Sequence, residues 1–395
     1  MSSGTNQYDV IIVGAGMVGA AMAATLGQQG LRIALLSNST PQLEWDTSSF
    51  DSRVSAITRA SQKLFRQLGA WDEMKALRVS PYTDMHVWDA SGQGSIHFDA
   101  AEIGEPDIGH VIENRVILNA LHQRIKALPQ IDCFWPFNAS QLRQDENEVC
   151  INLDNAESLS AKLIIGADGG RSWLRQAAGI SVKGWDYDHT AVVTCVKTER
   201  QHQHTAWQRF LPTGPLAFLP LTDGMSSIVW STSAAHAKHL LEMDEMRFAT
   251  ELQSSIENKL GKVEFVGPRA SFPLKFFEAE HYVGQRLALM GDAAHIIHPL
   301  AGQGVNLGLA DVASMNEIIK EAIKQRHDIG SVTTLRKYER ARRANNRSVL
   351  VAMDGLKRLF SSESATLHLT RNAGMSLLDK MTPLKNIIIQ QAMGL

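Results

Sequence analysis

Cysteine is scarce in this chain of 395 residues: Cys133, Cys150 and Cys195 are odd in number, widely spaced and form no C-x-x-C pair. Neither a disulfide framework nor a cysteine zinc site is indicated, and a reducing cytoplasm fits. Net charge is nearly absent as well, formally −2 from 39 basic and 41 acidic side chains, so nothing draws the chain as a whole toward nucleic acid. The one dense basic run, Arg336 to Arg347, reads as the solvated face of a helix, with an anionic lipid surface as its alternative. No Lys or Arg precedes Arg32, which removes the positive region a secretory signal requires. Repeats, low-complexity segments, G-x-S-x-G and any Ser-His-Asp arrangement are also missing, and with the last two goes the case for a hydrolase. Hydrophobic content, at 44%, is ordinary for a globular chain with two or three cores.

Only one long uncharged run stands out, VIIVGAGMVGAAMAATLG from Val10 to Gly27, and its glycines argue for something other than a membrane span. Gly14, Gly16 and Gly19 follow the β-branched run Val10–Val13 in the order G-x-G-x-x-G. In a βαβ unit the first glycine permits the tight turn off the strand, the second lets backbone approach a pyrophosphate, and the third lets helix and strand pack closely. A helix from about Met17 to Gln28 then points its unpaired N–H groups at the phosphates. Gly30 closes it, and Leu31–Leu36 reads as the second strand.

Two later strands end in the same way, at Asp168-Gly169 within AKLIIGADGGRSWLR and at Gly291-Asp292 within RLALMGDAAH. Each sets a carboxylate beside a glycine, which suits hydrogen bonds to sugar hydroxyls with backbone close by. Parallel α/β sheets gather strand ends along one rim, so three such loops suggest one large cofactor. Beyond Asp292, Gly302-Gln303-Gly304 opens a helix whose apolar residues Leu309, Val312, Met315, Ile319 and Ile323 recur at helical spacing. The positive end of that helix would stabilise the charge a reduced flavin gathers, which favours FAD over a nicotinamide alone.

Together GAGMVG, IIGADGGRSWLR and LALMGDAAHIIHPLAGQGVNLGLAD resemble the three nucleotide motifs of the single-component flavoprotein aromatic hydroxylases. Within them DSRVSAIT (Asp51–Thr58), AFLPL (Ala217–Leu221), HPLAGQGVNLG and the ending QQAMGL resemble the ubiquinone-biosynthesis hydroxylases, over nearly the whole chain. The resemblance implies that Gly14, Gly16 and Gly19 contact the ADP part of FAD, that Arg53 lies against the cofactor, and that Asp168 with Gly169 braces this region and a transient NAD(P)H site. It implies further that Gly291 and Asp292 hold the ribityl chain, and that Gly302, Gln303, Gly304 and Asn306 line the isoalloxazine ring. Its reaction is ring hydroxylation: NAD(P)H reduces FAD, O₂ forms a C4a-hydroperoxyflavin, and oxygen passes to a phenol or benzoquinol that carries a polyprenyl tail. A flavin reductase of the same fold and a catabolic aromatic hydroxylase are the competing functions.

The sequence departs from the pattern at one place. Ser37 stands where an acid about twenty residues beyond the glycines would hold the adenosine ribose, which leaves Ser37 or Asn38 as the weaker acceptor. Asp292, His295 and His298 form D-x-x-H-x-x-H, but Pro299 follows at once, so no metal is expected: His295 is read as structural and His298 as pocket-lining. His202 and His204 read as a solvated hairpin between two strands. No general base is evident, and the pocket candidates are His298, Pro299 and Phe218.

The expected architecture is α/β: a discontinuous Rossmann-like FAD-binding domain (1–80, 105–185 and 282–325), an inserted, mainly antiparallel substrate sheet (81–104 and 186–281) and a C-terminal helical region (326–395). The substrate wall looks apolar, so the protein is expected to be cytoplasmic and peripheral at the inner face of the cytoplasmic membrane. A biosynthetic complex or a homo-oligomer stays open, and a nucleic-acid partner is not expected.

Overall fold

The computed structural model describes residues 6–395 except 93, 138, 155–157, 297–303, 362–373, 376, 380 and 395. The run of β-branched residues at the start forms strand β1, Asn6–Val13, with Val10, Ile11 and Ile12 wholly buried. A strand apolar on both faces is stable only where helices cover both sides of a parallel sheet. That is its position. Strands Leu287–Leu289, Ser158–Gly166, Asn6–Val13, Ile33–Leu36 and Ile131–Phe134 lie side by side in that order, all parallel. Val149–Leu153 and Ala139–Gln144 extend this sheet antiparallel from Ser158–Gly166.

Helix α1, Met17–Gly27, buries nine consecutive residues from Gly19 to Gly27, so it is apolar all round and sits inside the cofactor unit. The left-handed Gly30, at φ +82°, turns the chain toward strand Ile33–Leu36. Helix Gly304–Lys324 packs against α1 and buries Leu309, Val312, Met315 and Ile319 in the shared core, whereas Ile323, expected on the same stripe, is 44% exposed. Its apolar stripe ends at Ala322 instead.

A second sheet has nine strands and is antiparallel except where Thr205–Leu211 runs parallel to Asp84–Asp89. Its longest strand, Val182–Thr198, pairs with Ala270–Ala279 on one side and Met225–Ser233 on the other. Strands Thr205–Leu211 and Val182–Thr198 are not neighbours, so His202 and His204 do not sit in a hairpin. His202 is buried and its Nε2 meets the Leu221 carbonyl at 2.9 Å, while its Nδ1 accepts the His204 N–H. A small third sheet, Val54–Ile57, Gly109–Glu113 and Ser80–Tyr82, which the sequence did not announce, lies beside the first two.

The two faces of strand Gly214–Pro220 go to different places, as its pleat requires. Leu216 and Phe218 pack with Trp230, Leu240, Phe248 and Leu252 beneath helices Ala234–Glu242 and Glu245–Ser255. Ala217 and Leu219 point the other way, into a cluster with Cys195, Met225, Tyr82 and Val111. Phe218 is therefore not a pocket residue. It is a fully buried core side chain on the helix-covered face, where truncation to Ala would cost about 3–5 kcal/mol.

Helix Val332–Ser361 lies against Gly304–Lys324. The last helix, Thr382–Met393, starts with a proline in its first turn and buries Ile389 and Met393 in the Leu219 cluster. Lys385, 4% exposed, pins it through a 2.8 Å ion pair with Glu102. Among the described residues no helix is long and apolar enough to cross a membrane.

Candidate functional site

The glycine loop is shaped by close contacts on two sides and openness on the third. A Cβ at Gly14, whose φ is +109°, would fall 2.2 Å from the Ala167 carbonyl oxygen, and one at Gly19 would fall 1.8 Å from the Gly14 carbonyl oxygen. No side chain fits at either place. A Cβ at Gly16 would meet nothing within 4 Å, so the space over that residue is free for a ligand's approach. The first intrahelical bond runs from Ala20 N–H to Gly16 O at 2.8 Å, which leaves the N–H groups of Met17, Val18 and Gly19 for a partner outside the helix. His122 steadies the loop: burial lowers its pKa, keeping the ring neutral, and its Nε2 meets the Ala15 carbonyl at 3.0 Å.

This loop opens on a cavity of about 890 Å³, large enough for the adenosine and pyrophosphate parts of a dinucleotide. Gly14, Gly16, Ser37, Asp168 and Gly169 all line it. Ser37 comes off strand Ile33–Leu36 as expected, but its hydroxyl donates to the Ser39 carbonyl at 2.7 Å, so only its acceptor capacity is left for a ribose. Gly169, at φ +80°, turns the chain away below the cavity. Asp168 Oδ2 accepts the Leu174 N–H at 3.1 Å, while its Oδ1 is buried with no hydrogen-bond partner among the described residues. An acceptor stranded in this way is costly, by about 1–3 kcal/mol, and a ligand hydroxyl or N–H would relieve it. Among the described residues Arg171 is the one cation in the lining; it was not singled out from the sequence, though it follows Asp168-Gly169 by two positions.

The third loop lies outside that lining. Gly291, at φ +56°, begins a 3-10 turn, and the helix Gly304–Lys324 approaches it closely: a Cβ on Gly308 would be 2.5 Å from Val18 Cγ2 and 3.3 Å from the Gly291 Cα. Asp292, next along, is open to solvent, yet the protein around it desolvates the carboxyl and raises its pKa, against a smaller lowering by His295. Gly304 starts the helix with open space at its Cβ. The Asn306 side chain is fixed by protein partners: its amide donates to the Ala56 carbonyl at 2.7 Å and its oxygen accepts from Thr58 N–H and Ser61 Oγ. It ties the helix to the segment after strand Val54–Ile57. Gly302, Gln303, His298 and Pro299 lie outside the described residues.

Arg53 is exposed, and its guanidinium has no hydrogen-bond partner among the described residues. The loop carrying it is held by Glu113, a buried carboxylate that takes Arg78 at 2.9 Å, Arg115 at 2.6 Å and the Asp51 N–H at 2.7 Å. Sequence reasoning also missed a buried cluster behind the third loop. Asp311, fully buried, accepts from Gly291 N–H at 2.8 Å, meets His295 Nε2 at 2.7 Å and accepts from Arg342 Nε at 2.6 Å. Arg342 belongs to the basic run read as solvated. It is 5% exposed, and its neighbour Arg343 reaches Glu278 and the Glu280 carbonyl. The legible signal was an acid placed on the apolar stripe of its helix, beside Gly308, Val312 and Met315.

A dinucleotide fits the residues present: two glycines that admit no side chain, one left open, free helix N–H groups, a cavity of the right size and an unsatisfied carboxylate oxygen at its wall. Comparisons with known proteins agree. The FAD binding domain family matches residues 7–352. The 3-demethoxyubiquinol 3-hydroxylase of Escherichia coli K12 is 37% identical over 394 residues, covering 99% of this chain and 100% of its own. The ubiquinone biosynthesis monooxygenase COQ6 of Xenopus tropicalis is 36% identical, covering 98% of this chain and 94% of its own. The ubiquinone hydroxylase UbiL of Rhodospirillum rubrum is 37% identical over 386 residues, covering 98% and 89%. Among solved structures, p-nitrophenol 4-monooxygenase PnpA of Pseudomonas putida superposes with a TM-score of 0.80 at 18% identity, covering 98% of each chain, which establishes a shared fold. The chain belongs to the FAD binding domain family and, within it, to the ubiquinone-biosynthesis hydroxylases.

Proposed function

We propose that this protein is an FAD-dependent monooxygenase that hydroxylates the aromatic ring of a polyprenylated phenol or benzoquinol in ubiquinone biosynthesis, with NAD(P)H as electron donor and O₂ as oxidant. The observation that carries the reading is near-complete alignment, at 36–37% identity, with hydroxylases of that pathway, on a chain whose glycine loop and cavity suit the ADP part of FAD. FAD, when bound, supplies the electron transfer and oxygen activation that no side chain here could perform.

The chain's own residues bind, orient and exclude water. Gly14, Gly16 and Gly19 with the start of α1 hold the pyrophosphate, Ser37 accepts from the adenosine ribose, and Asp168 with Gly169 braces the same region. Gly291 and Asp292 take the ribityl hydroxyls, and Arg53, Gly302, Gln303 and Gly304 complete the flavin side. Asn306 acts at one remove, by fixing the helix that starts at Gly304. The division into cofactor segments 1–80, 105–185 and 282–325 and substrate segments 81–104 and 186–281 follows the same logic. A polyprenylated substrate sits in lipid, so the protein works at a membrane surface or with a lipid-carrying partner.

The test is coupling, measured as hydroxylated product per NAD(P)H, against phenols of increasing prenyl length. Coupling should rise with the tail, since each buried CH₂ adds roughly 0.8 kcal/mol as an upper guide. Best coupling with a small carboxylated phenol, falling as the tail grows, would replace this reading with a catabolic hydroxylase.

A further inference from the structure

Asp311 is the most buried acid near the proposed flavin site, and both its oxygens are taken up by protein groups. One oxygen, Oδ2, takes both the Gly291 N–H at 2.8 Å and His295 Nε2 at 2.7 Å; the other, Oδ1, takes Arg342 Nε at 2.6 Å. Burial alone would raise this carboxyl, but the charges and hydrogen bonds of His295 and Arg342 bring it below the ordinary carboxylate range, so it stays ionised. An ionised carboxylate makes hydrogen bonds roughly twice as strong as a neutral acceptor does.

The Gly291 N–H is a telling donor to that carboxylate. Gly291 adopts a left-handed conformation at φ +56° and is followed directly by Asp292. The turn also rests on Val18 at the start of α1 and on Gly308, one helical turn before Asp311. Helix Gly304–Lys324 thus offers the turn a smooth surface at Gly308 and a charged acceptor at Asp311. Arg342, held in turn by Asn346 at 3.0 Å, brings the helix Val332–Ser361 into the same cluster. Tyr282 O–H donates to Glu278 and accepts from Asn346, and Glu278 is paired in register with His295, which links the second sheet to it as well.

We propose that Asp311 is a positioning residue for the cofactor: through the Gly291 N–H it fixes the turn that aims the Asp292 carboxylate. His295 and Arg342 bond the same carboxylate, and Arg342 ties the long C-terminal helix to the cluster. This rests on the FAD reading for its consequence, while the geometric claim stands on the turn itself.

Three variants separate positioning from stability: Asp311→Ala, Asp311→Asn, which keeps an oxygen acceptor, and Arg342→Gln, which breaks the cluster without touching Gly291. The readouts are apoprotein melting temperature, FAD Kd by fluorescence quenching, and amide exchange at Gly291 by NMR. All three should melt lower. Only Asp311→Ala should raise FAD Kd, by about tenfold or more, and speed Gly291 exchange. The proposal is overturned when Kd and Gly291 exchange follow melting temperature across all three, or stay at wild-type values in Asp311→Ala. Should Asp311→Ala not accumulate, the wild-type apoprotein decides: Gly291 must exchange more slowly than Asp292, and equal rates reject the idea. A wild type that takes up no FAD, with Gly291 still protected, would instead strike the FAD reading and leave the positioning of the turn intact.

Discussion

Gly16 and Gly19 are both glycines of one motif, but adding a methyl group to each should fail in different ways. At Gly19 the new Cβ would lie 1.8 Å from the Gly14 carbonyl oxygen and 3.2 Å from Ala167 Cβ. Ordinary contact needs about 3.2 Å, so helix and turn must separate by about 1.4 Å, and overpacking of this kind typically costs about 1–3 kcal/mol even where side chains can yield. Here the obstacle is backbone, which puts Gly19→Ala at the upper end. At Gly16 the Cβ meets nothing within 4 Å and φ is −71°, a value any residue adopts, so apoprotein stability should change by less than about 1 kcal/mol. The methyl group would instead hold off the pyrophosphate. Losing one or two charge-assisted bonds to helix N–H groups, about 1.5–3 kcal/mol each, lowers FAD affinity by roughly one to four decades. Urea unfolding of the apoproteins and FAD titration measure the two quantities separately. A Gly16→Ala protein that binds FAD like wild type would refute the placement of the phosphates, and one that unfolds like Gly19→Ala would refute the open space above the loop.

Asp292→Ala should lose about one to two decades of FAD affinity, read from flavin retained after dialysis, because one charge-assisted bond to the ribityl chain is worth roughly 1.5–3 kcal/mol. In the wild type the same affinity should weaken as pH falls through the raised Asp292 pKa, above the range where an ordinary aspartate would protonate. Ser37→Glu should tighten FAD by about 1 kcal/mol by restoring a charged ribose acceptor; a weaker complex would show that the ribose is held elsewhere. Burial, aided by the charges of Arg59 and Arg66, pushes His110 down to about 4, so the unfolded chain binds the extra proton first and stability is lost as pH falls from about 6.5 toward 4, by up to about 3 kcal/mol. Asp107 beside it, raised by burial, works in the opposite sense, so the check is the difference between wild type and His110→Phe in urea unfolding at pH 7 and pH 5, and equal pH dependence would contradict it.

The glycine loop was legible because each glycine in it answers a local steric demand, and strand, turn and helix follow within a few residues of one another. The apolar strands ending at Asp168 and Gly291 were legible for the same reason. Alternation along strand Gly214–Pro220 shows that two faces exist but not which one the helices cover, and Phe218 lies on the covered one. Asp311 and Arg342 are 31 positions apart and meet only because two helices pack together, so neither spacing nor composition could join them. Asn306 shows a related limit: its place in the loop is readable, but the partners of its amide, Ala56 and Ser61, are about 250 residues upstream.

The central claim is that this chain puts one oxygen atom from O₂ onto a prenylated ring at the expense of NAD(P)H. Turnover of the FAD-loaded protein with a polyprenyl phenol under ¹⁸O₂, followed by mass spectrometry of the product, addresses it most directly. A ring hydroxyl carrying the heavy isotope, formed in step with NAD(P)H consumed, is the predicted result. NAD(P)H oxidation that yields only hydrogen peroxide, or a hydroxyl group whose oxygen comes from water, would contradict it.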